Sequence, residues 1–325
     1  MIYEIYHETK FDYAAIVTFS HNIARLKPKT CKTQTLLEHD LKISPIPYET
    51  SEFVDYFENT NNFMLIRESH KTLSVTAISK VERIQEAIDK QIKDLKESKI
   101  TFKEAKDRLS KFNAEDVLAK QYLFETESIP TASEGIKAYI LESFRDDRNL
   151  FESINEFMKR IFTDFKFVSG FSDVTTPIEQ IFEAKKGVCQ DFAQFAISAL
   201  RSIGLPARYV SGYIQTLPPE GKEKLFGVDA SHAWFSVYIP GLGWADFDPT
   251  NDKIPNEEYI ILGYGRDYLD IAPLKGVVQS SGNSMLGVKV NVQSLEEKKV
   301  LAPLQEQIQE NQQTQIQAQS QANQF

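Results

Sequence analysis

The sequence of 325 residues predicts an α+β protein, with a β-sandwich first and a mixed region of helices and strands after it. Two observations support this fold class. Through about residue 82, apolar and polar residues alternate in short runs, which is the period of half-buried strands. From about residue 83, apolar residues instead recur every three or four positions, which is the period of amphipathic helices. Separate blocks of strands and helices are typical of α+β folds.

The first 82 residues are predicted to form the β-sandwich. Their short runs are rich in Ile, Val, Tyr, Phe and Thr, and clusters of Pro, Asn and Asp separate them. The run at residues 73–79 alternates apolar and polar side chains, so one face of this strand is expected to be buried. Two sheets packed through such faces give a sandwich.

Residues 83–125 are predicted to form a charged helical hairpin inserted before the next domain. Ile84, Ile88 and Ile92 share one helical face. Thr101 followed by Glu104 is a capping-box pattern that starts a second helix. The charged opposite face is interpreted as a solvated surface.

A core domain is predicted over residues 126–300 and a disordered tail over residues 301–325. Helical spacing opens the core, for example at Ile136, Tyr139 and Ile140. The tail is dominated by Gln, Asn, Ala and Ser, with too few bulky apolar residues to offset the entropy cost of ordering it.

Charge and composition exclude several kinds of partner. The formal net charge is -9 and the isoelectric point is about 5.3, so the protein repels nucleic acid and anionic membrane surfaces. The N-terminus lacks the pattern of a signal peptide, and no run of about 18 apolar residues occurs. With two cysteines, a cytoplasmic location is expected, where thiols stay reduced.

The distribution of rare side chains points to thiol chemistry. Beyond residue 70 the sequence contains a single cysteine, Cys189, and a single histidine, His232. These two residues are the smallest set that provides a thiol nucleophile with a base. Cys31 has no comparable neighbours and is interpreted as structural.

Cys189 is predicted to lie in the first turn of a helix that ends at Gly204. A preceding short helix is predicted to start around Thr176 and Pro177 and to end at Gly187. Unpaired amide groups at a helix start stabilise a thiolate, and the same amides can stabilise an oxyanion.

His232 opens a predicted strand, and a second short strand ending at Pro249 contains Asp246 and Asp248. Because these two aspartates are two residues apart, they project on one face. Either carboxylate has the right chemistry to accept the imidazole N–H. The hairpin register, and with it the choice between them, stays open from residue patterns alone.

Four strings of residues form a recognisable set. They are Lys186-Gly187-Val188-Cys189-Gln190-Asp191-Phe192-Ala193, residues 204–213, Ser231-His232-Ala233-Trp234, and Gly243-Trp244 with residues 247–251. Together they resemble the bacterial transglutaminase-like family. The order Cys, His, Asp matches the core of that family, and the first 82 residues resemble the β-sandwich region that accompanies this core in a bacterial subfamily. The resemblance covers about residues 1–82 and 150–295.

This resemblance implies a papain-like transglutaminase core with Cys189, His232 and Asp248 as catalytic triad. The implied reaction is acyl transfer on peptide or glutamine amides through a cysteine thioester. Hydrolysis by a cysteine protease or amidase is favoured over protein crosslinking by a transglutaminase, and a non-catalytic peptide-binding module is the further alternative.

The expected partner is a peptide or protein substrate, and the oligomeric state stays open. The sequence has no cysteine pair at ligand spacing, no paired histidines on a helix and no glycine-rich phosphate loop. No metal and no cofactor are therefore expected. The exposed segment from Gln215 to Ala230 directly precedes His232 and is predicted to act as a lid.

Overall fold

The computed structural model describes residues 1–111, 114–216 and 231–295, apart from the side chain of Glu115. The described residues form three four-stranded antiparallel sheets, a short parallel strand pair and a set of helices. The predicted α+β class is confirmed. The predicted disordered tail lies outside the described residues, and so does the predicted lid apart from Gln215 and Thr216.

Two of the sheets form the sandwich, and their strand orders are β14-β1-β6-β3 and β13-β2-β5-β4. Alternation along β1 and β6 buries every second side chain, as expected for strands with one face against a core. The N-terminal strands are β1 (Ile2–Val17), β2 (Phe19–Ala24), β3 (Gln34–Ser44), β4 (Glu49–Val54), β5 (Thr60–Ile66) and β6 (His70–Arg83).

One strand of each sandwich sheet comes from the other end of the described chain. β13 (Leu274–Gln279) pairs with β2, and β14 (Ser284–Ser294) pairs with β1. The prediction had placed these residues in a core spanning 126–300, and the structure differs there. The physical reason is burial, because Val290 and Val292 of β14 are fully buried in the hydrophobic core of the sandwich.

Helices connect the sandwich to the core. The predicted capping box starts the second helix, where Thr101 Oγ1 accepts from the Glu104 N–H at 3.2 Å and Glu104 accepts from the Thr101 N–H at 2.8 Å. A 3-10 helix follows at Ala119–Leu123. The helices are α1 (Gln85–Glu97), α2 (Phe102–Ser110), α3 (Ala114–Val117), α4 (Glu134–Leu141), α5 (Leu150–Asp164), α6 (Ile178–Ala184) and α7 (Cys189–Ser202).

The core sheet has the strand order β11-β10-β9-β12, and α7 packs against β9 and β10. One hydrophobic cluster joins the helices to this face of the sheet and contains Phe192, Phe195, Phe235 and Phe247. The core strands are β7 (Lys166–Phe167), β8 (Lys186–Gly187), β9 (Ala207–Ile214), β10 (Ser231–Ile239), β11 (Gly243–Phe247) and β12 (Tyr259–Gly265).

The sandwich and the core sheet pack directly against each other. Tyr213, Ile260 and Leu262 from the core belong to the hydrophobic cluster of the sandwich. Hydrogen bonds cross the same boundary, for example from Gln34 Nε2 to the Ile261 carbonyl at 2.8 Å. This packing holds the strands β1 and β14 beside the start of α7. In the part of the chain that the structure describes, no helix is long and apolar enough to cross a membrane.

Candidate active site

Cys189 is the first residue of α7, as predicted from the sequence. Val188 before it is extended, so the chain turns into the helix at the cysteine itself. The N–H groups of a first helical turn have no acceptor inside the helix, and Cys189 lies in such a turn. The side chain of Cys189 is half-buried and therefore accessible. The short helix before it, α6, ends earlier than predicted. Its last residue is Ala184, and Lys185 follows with a left-handed φ of 51°, whereas the predicted end was Gly187.

The structure brings Cys189, His232 and Asp248 together in one chain of contacts. His232 Nε2 donates to Asp248 Oδ2 over 2.7 Å. The thiol of Cys189 also lies within hydrogen-bonding reach of the His232 side chain. Because Nε2 is engaged by the carboxylate, Nδ1 is the ring nitrogen left for the thiol. The imidazole is thus held between the sulfur and a carboxylate, which is the arrangement of a nucleophile, a base and a group that orients the base.

Asp248 accepts several hydrogen bonds although it is fully buried. Tyr259 Oη and Asn251 Nδ2 each donate to Oδ2 over 2.7 Å, and the Thr250 N–H donates to Oδ1 over 2.9 Å. These donors replace the water that a buried carboxylate has lost. They also fix the direction in which the carboxylate faces His232.

The electrostatics of the pair favour a charged histidine beside a charged carboxylate. Burial disfavours the charge on His232, but its hydrogen bonds to Asp248 and Cys189 outweigh burial and raise its pKa from 6.5 to about 10. Burial likewise favours a neutral Asp248. The hydrogen bond and positive charge of His232 outweigh that effect and lower the pKa of Asp248. The imidazolium form is therefore stable at neutral pH.

The hairpin register decides between the two aspartates that residue patterns had left open. Ile239 pairs with Gly243 and Phe235 pairs with Phe247, so a three-residue loop connects β10 to β11. Gly241 in this loop has a φ of 88°, a conformation that glycine adopts without strain. In this register Asp246 lies opposite Ser236, further from His232, and it lines a different cavity.

Asp191 fixes the segment that leads into the cysteine. Its buried carboxylate accepts from the Val188 N–H over 2.7 Å and from the hydroxyl of Ser172. Gly187 packs so closely on this carboxylate that a Cβ there would lie 2.7 Å from Asp191 Oδ2. Burial raises the pKa of Asp191, and the two hydrogen bonds oppose that shift.

Sequence reasoning missed the supporting residues of the site. Nothing in the sequence pattern marks Tyr259, which reaches Asp248 from a different strand. Asn251 lies in the last of the four strings that carry the family resemblance. Its position three residues after Asp248 indicated that its side chain could reach the carboxylate. Arg208 also belongs to this surrounding structure, since its guanidinium stacks between Trp244 and Tyr264, at 4.3 Å and 3.5 Å from their rings.

A cavity of about 170 Å³ opens at the thiol and lies between the core and the sandwich. Cys189 and His232 line its core side, together with Tyr209. The sandwich contributes the opposite wall through β1 and β14. The cavity gives a substrate access to Cys189, and two parts of the fold shape it.

The sequence matches two family descriptions that correspond to the two parts of this fold. Residues 3–82 match the bacterial transglutaminase-like N-terminal region, and residues 138–249 match the transglutaminase-like superfamily. Uncharacterized proteins of Mycobacterium tuberculosis and Mycobacterium bovis are 34% identical over 301 residues, which is 89% of this chain and 92% of theirs. The chain belongs to the transglutaminase-like superfamily. The family resemblance seen in the sequence is thereby confirmed.

Two further proteins resemble this transglutaminase-like chain. The crystal structure of a proposed cysteine protease from Cytophaga hutchinsonii covers 91% of each chain with a TM-score of 0.70 and 20% identity, so it has the same fold. A protein-glutamine gamma-glutamyltransferase of Pseudomonas aeruginosa is 34% identical over 100 residues, which is 29% of this chain and 15% of that protein.

Proposed function

We propose that the protein is a thiol-dependent enzyme that transfers acyl groups from peptide or glutamine amides through a thioester on Cys189. The observation that carries this proposal is the buried His232–Asp248 hydrogen bond beside a cysteine that starts a helix. A peptide-binding module without catalysis has no need to bury a charged pair next to an accessible thiol, because burying charges costs free energy.

In the proposed reaction, the S–H proton of Cys189 passes to the imidazole of His232, and the resulting thiolate attacks the carbonyl carbon of the amide. The C–N bond then breaks, and the imidazolium of His232 gives its proton to the departing amine. The remaining product is a thioester between the acyl group and Cys189. Asp248 keeps the imidazole oriented and stabilises its positive charge through both steps.

The oxyanion formed by this attack needs hydrogen-bond donors at the sulfur. The N–H of Cys189 is suited to this role, since it is the first amide of α7 and has no acceptor within the helix. The positive end of the helix dipole acts in the same direction.

We propose water as the acceptor that resolves the thioester. The described walls of the cavity leave the site open, since Leu286 and Val288 stay 57% and 46% exposed, so water reaches the thioester unless a substrate excludes it. Hydrolysis makes the protein an amidase or cysteine protease. Transamidation is the second candidate, and the similarity to the Pseudomonas aeruginosa glutamyltransferase supports it.

Glutamine-containing peptides, incubated with and without a primary amine, test the reaction and its acceptor together. We expect Cys31→Ala to keep the activity, because Cys31 lines a different cavity from Cys189 and His232, and Cys189→Ala to lose it. Mass spectrometry of the products distinguishes the acceptors. A gain of about one mass unit or a cleaved backbone indicates hydrolysis, and an amine adduct indicates transamidation.

Two outcomes of this experiment count against the proposal. Equal activity of Cys189→Ala and Cys31→Ala refutes a thioester at Cys189. Binding of peptides without any turnover by the unmodified protein, combined with equal alkylation of both cysteines by iodoacetamide at neutral pH, favours the non-catalytic binding module.

A further inference from the structure

The wall of the cavity opposite Cys189 is made by the β-sandwich. Thr9 and Phe11 of β1 line it, together with Leu286 and Val288 of β14. In the register of the two strands, Phe11 pairs with Leu286 and Thr9 pairs with Val288. Since paired residues project from the same face of a sheet, these four side chains form one continuous surface that faces the nucleophile.

Three of these four side chains are apolar, and the two on β14 are open to solvent. Leu286 is 57% exposed and Val288 is 46% exposed. Both are large aliphatic side chains, and removing apolar area from water is favourable. A ligand side chain that covers this wall therefore gains free energy if it is apolar as well.

Apart from His232 beside the thiol, the described residues that line the cavity carry no charge that would stabilise a charged ligand. Among the described residues that line it there is no Asp, Glu, Lys or Arg. His7 lies at the back of the wall and shares hydrogen bonds with Tyr213 Oη at 2.8 Å and Thr9 Oγ1 at 3.0 Å. Burial lowers the pKa of His7 to about 4, so it is neutral at physiological pH. A charged side chain at the sandwich wall, opposite His232, loses water without gaining a partner among the described residues.

We propose that Phe11, Leu286 and Val288 form a subsite that binds a large apolar side chain of a peptide substrate, next to the carbonyl that Cys189 attacks. The substrate class is therefore a peptide with a bulky uncharged residue at or beside the acyl position. This inference rests on the proposed acyl transfer at Cys189. It goes further by assigning substrate selection to the sandwich rather than to the core that contains the triad.

The subsite can be tested by alkylation of Cys189, which needs no turnover of an unknown substrate. The probes are the chloromethyl ketones of acetyl-leucine, acetyl-glycine and acetyl-aspartate, which differ only in the side chain beside the reactive carbonyl. We expect the second-order rate constant at Cys189 to be about tenfold or more higher for the leucine probe than for the other two. The gain should come from tighter initial binding.

Substitutions on β14 separate this subsite from a general effect on the thiol. The double variant Leu286→Ala with Val288→Ala should bring the rate of the leucine probe close to that of the glycine probe, which itself stays unchanged. Met285→Ala is the matched control, because Met285 is 74% exposed on the same strand and projects from the opposite face. This control should keep the full preference for leucine.

The possible results distinguish the subsite from the proposed function. Equal rates for the three probes, all faster at Cys189 than at Cys31, overturn the subsite and leave the acyl-transfer proposal intact. A leucine preference that survives the double variant also overturns the subsite. If no probe reacts faster at Cys189 than at Cys31, the proposed function fails and the subsite fails with it.

Discussion

At the scale of single residues, the site depends on how Asp248 stays ionised without water. Three side-chain donors converge on its Oδ2, from His232, Tyr259 and Asn251. A buried carboxylate with fewer donors would take up a proton, since burial alone favours the neutral form. Asp248 therefore keeps a negative charge that stabilises the proton on His232.

The charge on His232 predicts how stability varies with pH. Its pKa is about 10 in the folded protein and 6.5 ordinarily, so the folded state binds this proton more tightly than the unfolded chain. The stabilisation is fully present below pH 6.5 and is lost as the pH rises to about 10. Urea unfolding should therefore give a free-energy difference between the unmodified protein and His232→Gln that shrinks across this range.

The variant His7→Gln provides the control for this prediction. Burial lowers the pKa of His7 to about 4, so His7 is neutral in both the folded and the unfolded chain through most of the range above pH 6.5. Its free-energy difference from the unmodified protein should stay constant as the pH rises. A constant difference for His232→Gln as well would contradict the assigned charge on His232.

The individual site residues differ in how far the sequence could predict them. Cys189 and His232 stand out because they are the single cysteine and the single histidine in the sequence beyond residue 70. Asp248 could be chosen over Asp246 only by resemblance, since both carboxylates share one strand face and residue patterns leave the hairpin register open. Tyr259 could not be found, because its contact with Asp248 depends on how β12 is placed beside β9.

At the scale of elements, the start of α7 is held in place by Asp191. This carboxylate is buried, and it connects the residue before the cysteine to Ser172 in a neighbouring loop. The sequence identified the helix start correctly because the apolar spacing within α7 and its end at Gly204 are local signals. The connection to Ser172 is a tertiary contact, for which the sequence contains no local signal.

Removal of the Asp191 carboxylate should loosen the segment that carries Cys189. We expect Asp191→Ala to lower the free energy of unfolding by about 1–3 kcal/mol, because it leaves the Val188 N–H buried without its acceptor. Asp191→Asn keeps one acceptor oxygen and should recover most of the loss.

Glu152→Ala is the control for this prediction. It removes an exposed first-turn carboxylate from α5 and should lower the free energy of unfolding by only about 0.5 kcal/mol, which urea unfolding measures. Equal losses for Asp191→Ala and Glu152→Ala would refute this role.

At the scale of the whole molecule, the sandwich is closed by strands that are distant in sequence. The alternation in residues 1–82 was sufficient to predict the N-terminal strands, because a strand with one buried face has a local pattern. It was not sufficient to predict that β13 and β14 return to the same two sheets. A strand pattern shows that a segment needs a partner without identifying the partner, and the register of β1 with β14 joins residues about 280 positions apart.

This closure predicts that the two last strands are required for folding, whereas the residues after them are dispensable. A chain ending at residue 273 lacks β13 and β14, which exposes the inner face of the sandwich and leaves β1 and β2 as unprotected edges. We expect it to aggregate or to lose cooperative urea unfolding. A chain ending at residue 295 keeps both strands and removes residues 296–325, which include the Gln-rich tail, so we expect its unfolding midpoint to match that of the full chain. Sedimentation and urea unfolding of both truncated chains test this. A monomeric, cooperative chain 1–273 with an unchanged midpoint would mean that the N-terminal strands suffice, and that β13 and β14 serve the cavity beside Cys189 rather than the fold.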